Sequence, residues 1–178
     1  MGGERAKAVA AAACLAVLLV VGGAGAKQAA RTATLGPCAF SQTEIWLGDG
    51  DGGGAAGHVY LPLELSNIGH SSCTLYGFPG VSAVNSSGLQ IGGGGTRSGP
   101  AGPVVRLAPG ATAHALLAIA DWGAICARGV PATGIRIYAP GQRYSQLVQF
   151  QSEVCASRSV LSVGPVRSGV GIPGYTNS

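Results

Sequence analysis

Charge is scarce in this chain. Only 10% of its 178 residues are Asp, Glu, Lys or Arg, which excludes an acidic solvating tail, a coiled coil and a nucleic-acid arm. Methionine is scarcer still: Met1 is the only one, so no thioether exists for a copper site. Beyond the first 26 residues Lys27 is the sole lysine. Arg31, Arg97, Arg106, Arg128, Arg136, Arg143, Arg158 and Arg167 follow singly, with no cluster of three. Phosphate recognition needs a clustered basic stripe, so nucleic acid is not an expected partner. There is no C-x-x-C pair, which removes a zinc ribbon and a dithiol redox motif. There is no G-x-S-x-G elbow either.

What is present is apolar and turn-rich. The chain is 47% hydrophobic, with 31 glycines and 10 prolines, a little under the ~25–30% Gly plus Pro at which disorder becomes the default. A folded domain with many turns is expected. The net charge is +4; removing Arg5, Lys7 and Glu4 with the N-terminal segment leaves +3.

That segment reads as a signal peptide over residues 1–26. Arg5 and Lys7 form a positive n-region, Ala8–Val21 is an unbroken apolar run, and Ala24-Gly25-Ala26 supplies an A-x-A cleavage pattern. Fourteen helical residues span about 21 Å, short of a ~30 Å hydrocarbon core. Export with cleavage after Ala26 is expected, and anchoring by residues 8–26 is the alternative. A membrane enters only in the uncleaved case. Cys14 lies in the middle of the apolar run, without the flanking pattern of a lipidation site.

Four cysteines remain: Cys38, Cys73, Cys126 and Cys155. In an exported chain an even count reads as two disulfides, with three possible connectivities. Cys38–Cys73 with Cys126–Cys155 is the favoured pairing. The first would tie the start of the domain to its body, and the second would close a loop across the last hairpin. The 152 residues after Ala26 are enough to bury a core of their own.

Period-two alternation dominates this body. Val59, Leu61, Leu63 and Leu65 fall on one face of a strand; His58, Tyr60, Pro62, Glu64 and Ser66 fall on the other. Pro62 lacks an N–H, which suggests an edge strand or a bulge. Residues 112–119 and 135–139 alternate in the same way. Shorter strands are expected at 43–47, 73–76, 81–85, 104–107, 145–150 and 160–166. Turn signals separate them, including Asn67-Ile68-Gly69, Phe78-Pro79-Gly80, Gly92–Gly95, Ala108-Pro109-Gly110 and Ala139-Pro140-Gly141. No helical spacing extends beyond about eight residues after the N-terminal segment, although residues 121–127 could form one turn. The pattern predicts an all-β fold: one antiparallel, immunoglobulin-like β-sandwich of about 8–9 short strands over residues 38–166. Residues 27–37 read as a linker and 167–178 as a flexible tail.

Chemistry is hard to find. His58 and His114 lie on polar strand faces and His70 in a turn, where exposed histidines are expected. Asp49-Gly50-Asp51 begins like a calcium loop, but Gly53 and Tyr60 occupy positions that need oxygen ligands. The G-x-G-x-x-G at Gly48, Gly50 and Gly53 has no helix after it to face a pyrophosphate. Gly92–Gly95 lacks the lysine of a phosphate loop and reads as a linker. Asn85-Ser86-Ser87 is a formal glycosylation sequon. Tyr60 and Tyr138 could pair if their strands were neighbours. No catalytic, cofactor-binding or metal-binding residue is assigned, no cofactor is expected, and the chain reads as not an enzyme.

The segment Asn67-Ile68-Gly69 followed by Cys73-Thr74-Leu75-Tyr76-Gly77-Phe78-Pro79-Gly80-Val81 resembles a family of exported actinobacterial domains of unknown function (domain of unknown function 4232). Leu107-Ala108-Pro109-Gly110-Ala111-Thr112-Ala113-His114-Ala115 is similar to its second signature, and Cys126, Pro140, Cys155 and Val163-Gly164-Pro165-Val166 fit its later part. The resemblance spans roughly residues 38–166. It implies an exported or envelope-associated β-sandwich with two disulfides and no known reaction. It also implies structural turn positions at Asn67, Gly69, Gly77, Pro79, Gly80, Pro109 and Gly110. The function expected is a noncatalytic module that binds an extracytoplasmic protein, a wall polymer or a small ligand. The alternative is a secreted protease inhibitor presenting Gly99–Pro103 or Ala127–Pro131, with Arg128 at the primary specificity position.

Overall fold

The computed structural model describes residues 35–48, 54 and 57–171, together with Gly2. Apart from Gly2, the segment read as a signal peptide, most of the expected linker and the Asp49–Gly53 stretch lie outside the described residues. All the strands belong to one compact unit, which begins at Thr34.

Alternating apolar residues need a second apolar surface to cover one face, and here two layers of strands supply it to each other. The longer sheet runs in the order β1 (Thr43–Leu47), β2 (His58–Asn67), β7 (Thr112–Ala120), β10 (Leu161–Val163) and β5 (Thr96–Arg97), with β11 (Arg167–Ser168) also on β7. Facing it are β4 (Gly80–Val84), β8 (Gly129–Tyr138) and β9 (Gln146–Cys155), and a short pair, β3 (Cys73–Leu75) with β6 (Val105–Leu107). Leu63 and Leu65 of β2, Leu117 of β7 and Val163 of β10 enter one apolar cluster with Ile135 and Ile137 of β8, Val81 of β4 and Leu107 of β6. The fold is all-β, as alternation predicts. Its only helical turns among the described residues are Phe40–Gln42 and Trp122–Ala124; the second falls inside the turn expected at 121–127.

Several expectations need correction. Eleven strands are present among the described residues, not eight or nine, because β5 and β11 are too short for any periodicity to show. The β10–β5 pair is parallel, so the sandwich is not wholly antiparallel. β2 is not an edge strand, since it pairs with both β1 and β7. Pro62 is tolerated because β1 ends at Leu47, opposite Leu63. The Pro62 carbonyl accepts the Gly48 N–H at 2.8 Å, and its missing N–H would point to that same side, just past the end of β1, so no ladder bond within β1 or β7 is lost.

β8 and β9 outrun the predicted 135–139 and 145–150. A register shift between Ala132 and Gly134 changes the phase of alternation in β8, which hides its first half from a period-two reading. Gly92–Gly95 does link strands, lying between β4 and β5, but it is anchored along its length. The Ile91 and Gly95 N–H groups donate to Ala83 and Val81 of β4. A Cβ at Gly92 would lie 2.5 Å from the Arg158 carbonyl oxygen, so only glycine fits there. The tail expected from Arg167 begins as strand β11; residues 172–178 lie outside the described residues. Tyr60 and Tyr138 sit on β2 and β8, in different sheets, and do not pair.

The two layers are also joined by one side chain. Gln146, at the start of β9, accepts the Ile45 N–H at 3.0 Å and donates to the Thr43 carbonyl. Its amide thereby occupies the open hydrogen-bonding edge of β1, which an extra strand could otherwise pair with.

Candidate functional site

The register of β2 against β7 sets His58 opposite Ala120, Tyr60 opposite Ala118, Pro62 opposite Leu116, Glu64 opposite His114 and Ser66 opposite Thr112. These residues share the outer face of the long sheet, because their alternates Leu61, Leu63, Leu65, Ala113, Ala115 and Leu117 pack inward. At one end of this face the chain after β11 folds back over the sheet. Gly169 accepts a hydrogen bond from His114 Nδ1 at 2.9 Å and donates its N–H to the Thr112 carbonyl at 3.1 Å. Gly171 donates its N–H to Glu64 Oε1 at 2.7 Å. The close backbone at Gly48, where a Cβ would lie 3.3 Å from Glu64 Oε1, covers the carboxylate from the other side.

Glu64 is therefore 3% exposed and His114 5%, whereas alternation alone puts both on exposed polar faces. The face is correct; the segment that covers it carries no periodicity. Since a carbonyl can only accept, Nδ1 of His114 carries a proton and donates it to Gly169. Glu64 Oε2 has no hydrogen-bond partner among the described residues. Burial raises the Glu64 pKa above its ordinary 4.5, with the Gly171 hydrogen bond and the nearby His114 acting in the opposite direction.

Beyond this cover the described residues form a cleft of about 410 Å³ on the outer face. Leu116 and Ala118 lie in it, and the His58 and Tyr60 rings, stacked with centroids 6.0 Å apart, border it. Ser162 of β10, Ser98 beyond β5, His114 and Arg167 complete the polar lining. Arg167 is opposite His114 in the ladder, so the two residues share this face. No carboxylate lines the cleft among the described residues. His58 and His114 stand six positions apart along the ladder, about 20 Å at strand rise, which is too far to share a metal ion. His70 is exposed in its turn, as expected.

The disulfides are those favoured from the sequence: Cys38–Cys73 and Cys126–Cys155. Four of the expected turn positions, Asn67, Gly69, Pro109 and Gly110, lie around the Asn67 side chain and backbone. Asn67 is fully buried. Its Oδ1 accepts the Gly69 N–H, while Nδ2 donates to the carbonyls of Ser71 and Leu107. The Ala111 N–H donates to Ala108, and Gly110 has φ 76°, giving a type II turn with Pro109 and Gly110 at its centre. That turn clasps the Asn67 backbone through Gly110 N–H and the Ala111 carbonyl. The other three have separate partners or settings: Gly77 accepts the Val166 N–H, Pro79 is fully buried, and Gly80 lies against the Tyr138 side chain. The two signatures, separate in sequence, are thus one docked unit.

The family described as "Domain of unknown function (DUF4232)" matches residues 38–167. The chain belongs to this family. No curated protein and no solved structure matches it. The DUF4232 match ends at Arg167, the residue at the rim of the cleft. Neither the burial of Glu64 nor the part played by Arg167 is marked in the sequence, because both depend on the return of residues 167–171 to β7.

Proposed function

We propose that this DUF4232 domain is a noncatalytic, extracytoplasmic binding module whose working surface is the cleft on the outer face of the long sheet. The observation that carries the reading is the makeup of that cleft. Apolar Leu116 and Ala118, a stacked His58–Tyr60 pair and a few converging polar groups share one concave space of about 410 Å³, within the usual range for small-ligand sites. The extracytoplasmic setting is supported by two disulfides, which persist in oxidising compartments, and by the signal-like residues 1–26. No helix of the described residues is long and apolar enough to cross a membrane.

The inhibitor reading has less support. Gly129, Val130 and Pro131 are paired with Cys155, Val154 and Glu153 in the β8–β9 ladder, so Ala127–Pro131 is only partly a loop. The test uses oxidised protein starting at Lys27 and a mixture of ring-bearing fragments, followed by ligand-detected NMR. Binders are expected with the wild type, lost on Ala118→Trp, which fills the cleft, and recovered chemically unchanged. Binding that survives the filling, or turnover of a fragment, would overturn the proposal.

A further inference from the structure

We infer that the cleft selects a ring-bearing molecule with a single carboxylate. The inference deepens the binding reading above and rests on it. Among the described residues lining the cleft, Arg167 is the one Lys, Arg, Asp or Glu side chain. It is exposed, and its guanidinium lies over Gly102, where an added Cβ would come within 3.0 Å of Nη1. The absence of a side chain at position 102 leaves space for the guanidinium at the rim of the cleft.

A planar guanidinium fork matches a carboxylate with two parallel hydrogen bonds. A cationic ligand would meet Arg167 with no carboxylate among the described lining residues to balance it. A phosphate dianion would call for several cations or a helix N-terminus, and the described lining residues offer neither. One negative charge is what the lining complements. The body of the ligand is set by the other wall. Leu116 and Ala118 offer an apolar surface, and the His58 and Tyr60 rings, inclined by only 20° to each other, border it with flat faces suited to a ring. Ser98 and Ser162 place hydroxyls on the side of β5 and β10, where ring substituents can be hydrogen-bonded.

The test compares a matched pair, 2-naphthoate and 2-naphthamide, titrated into oxidised isotope-labelled protein by two-dimensional NMR. The acid is expected to bind at least about tenfold more tightly than the amide, shifting Tyr60, Leu116 and Ser162. Arg167→Gln should abolish that preference while changing amide binding less than about twofold. Arg167→Lys, which keeps the charge and loses the fork, should restore part of it; it also provides the readout if the glutamine variant is poorly folded. Equal binding of acid and amide within the cleft would overturn the carboxylate preference and leave the binding reading standing. A preference that survives both Arg167 variants would overturn the assignment to Arg167. No perturbation of the cleft by either compound would overturn both.

Discussion

The side-chain amide of Asn67 donates to the Leu107 carbonyl at 3.1 Å, forty residues further along the chain. The same amide donates to Ser71, and its oxygen accepts from Gly69. The end of β2, the loop toward β3 and the turn between β6 and β7 are therefore held by one buried side chain. Asn67→Ala should leave the Ser71 and Leu107 carbonyls and the Gly69 N–H without this partner. A cost of about 2–4 kcal/mol is expected, read as a lower urea midpoint with an unchanged slope. Asn67→Asp should also destabilise, since a carboxylate cannot donate to either carbonyl.

Glu64 predicts a pH dependence of stability. Its pKa is raised in the folded state by burial. The folded chain therefore holds the proton more tightly than the unfolded chain does. The stability this contributes is full below the ordinary value of 4.5 and is lost as pH rises through the folded-state value. Other groups titrate as well, so the measurement is the difference in Tm between wild type and Glu64→Gln. Glutamine keeps an oxygen for the Gly171 N–H but cannot ionise. The wild type should lose Tm relative to this variant as pH rises from 4.5 toward neutrality. A constant difference across that range would contradict the assignment.

The Cys126–Cys155 bridge joins the entry to β8 with the end of β9, and Cys38–Cys73 fastens the start of the domain to β3. Each closes a loop of about thirty residues, worth roughly 3–4 kcal/mol in the chain-entropy account. Replacing Cys126 and Cys155 together by Ala should lower unfolding stability by about 3 kcal/mol while the β-sheet circular dichroism persists. The remaining core, from Leu63 to Ile137, is expected to hold the fold.

The sandwich is readable in the sequence because its central strands, β2 and β7, are long and alternate over most of their length, and because four cysteines allow only three pairings. β5 and β11 are not readable, since two residues carry no period. The bulge near Thr133 hides half of β8 in the same way. For His114 and Glu64 the pattern gives the correct face but the wrong exposure. Alternation tells which way a side chain points, not whether a later segment such as Gly169–Gly171 will cover it. The cleft shares that limit: Ser98, Ser162 and Arg167 come from three separate strands or strand ends, and only the pairing of β10 with β5 and β7, and of β11 with β7, assembles them.

The most direct test of the outer-face cleft as the working surface is residue-resolved NMR mapping of ring-bearing fragments on the oxidised domain. Perturbations are predicted to concentrate at Tyr60, Leu116, Ala118, Ser162 and Gly164. Perturbations gathered instead along the exposed edge of β9 around Leu147, or at Ala127 and Arg128, would contradict the account.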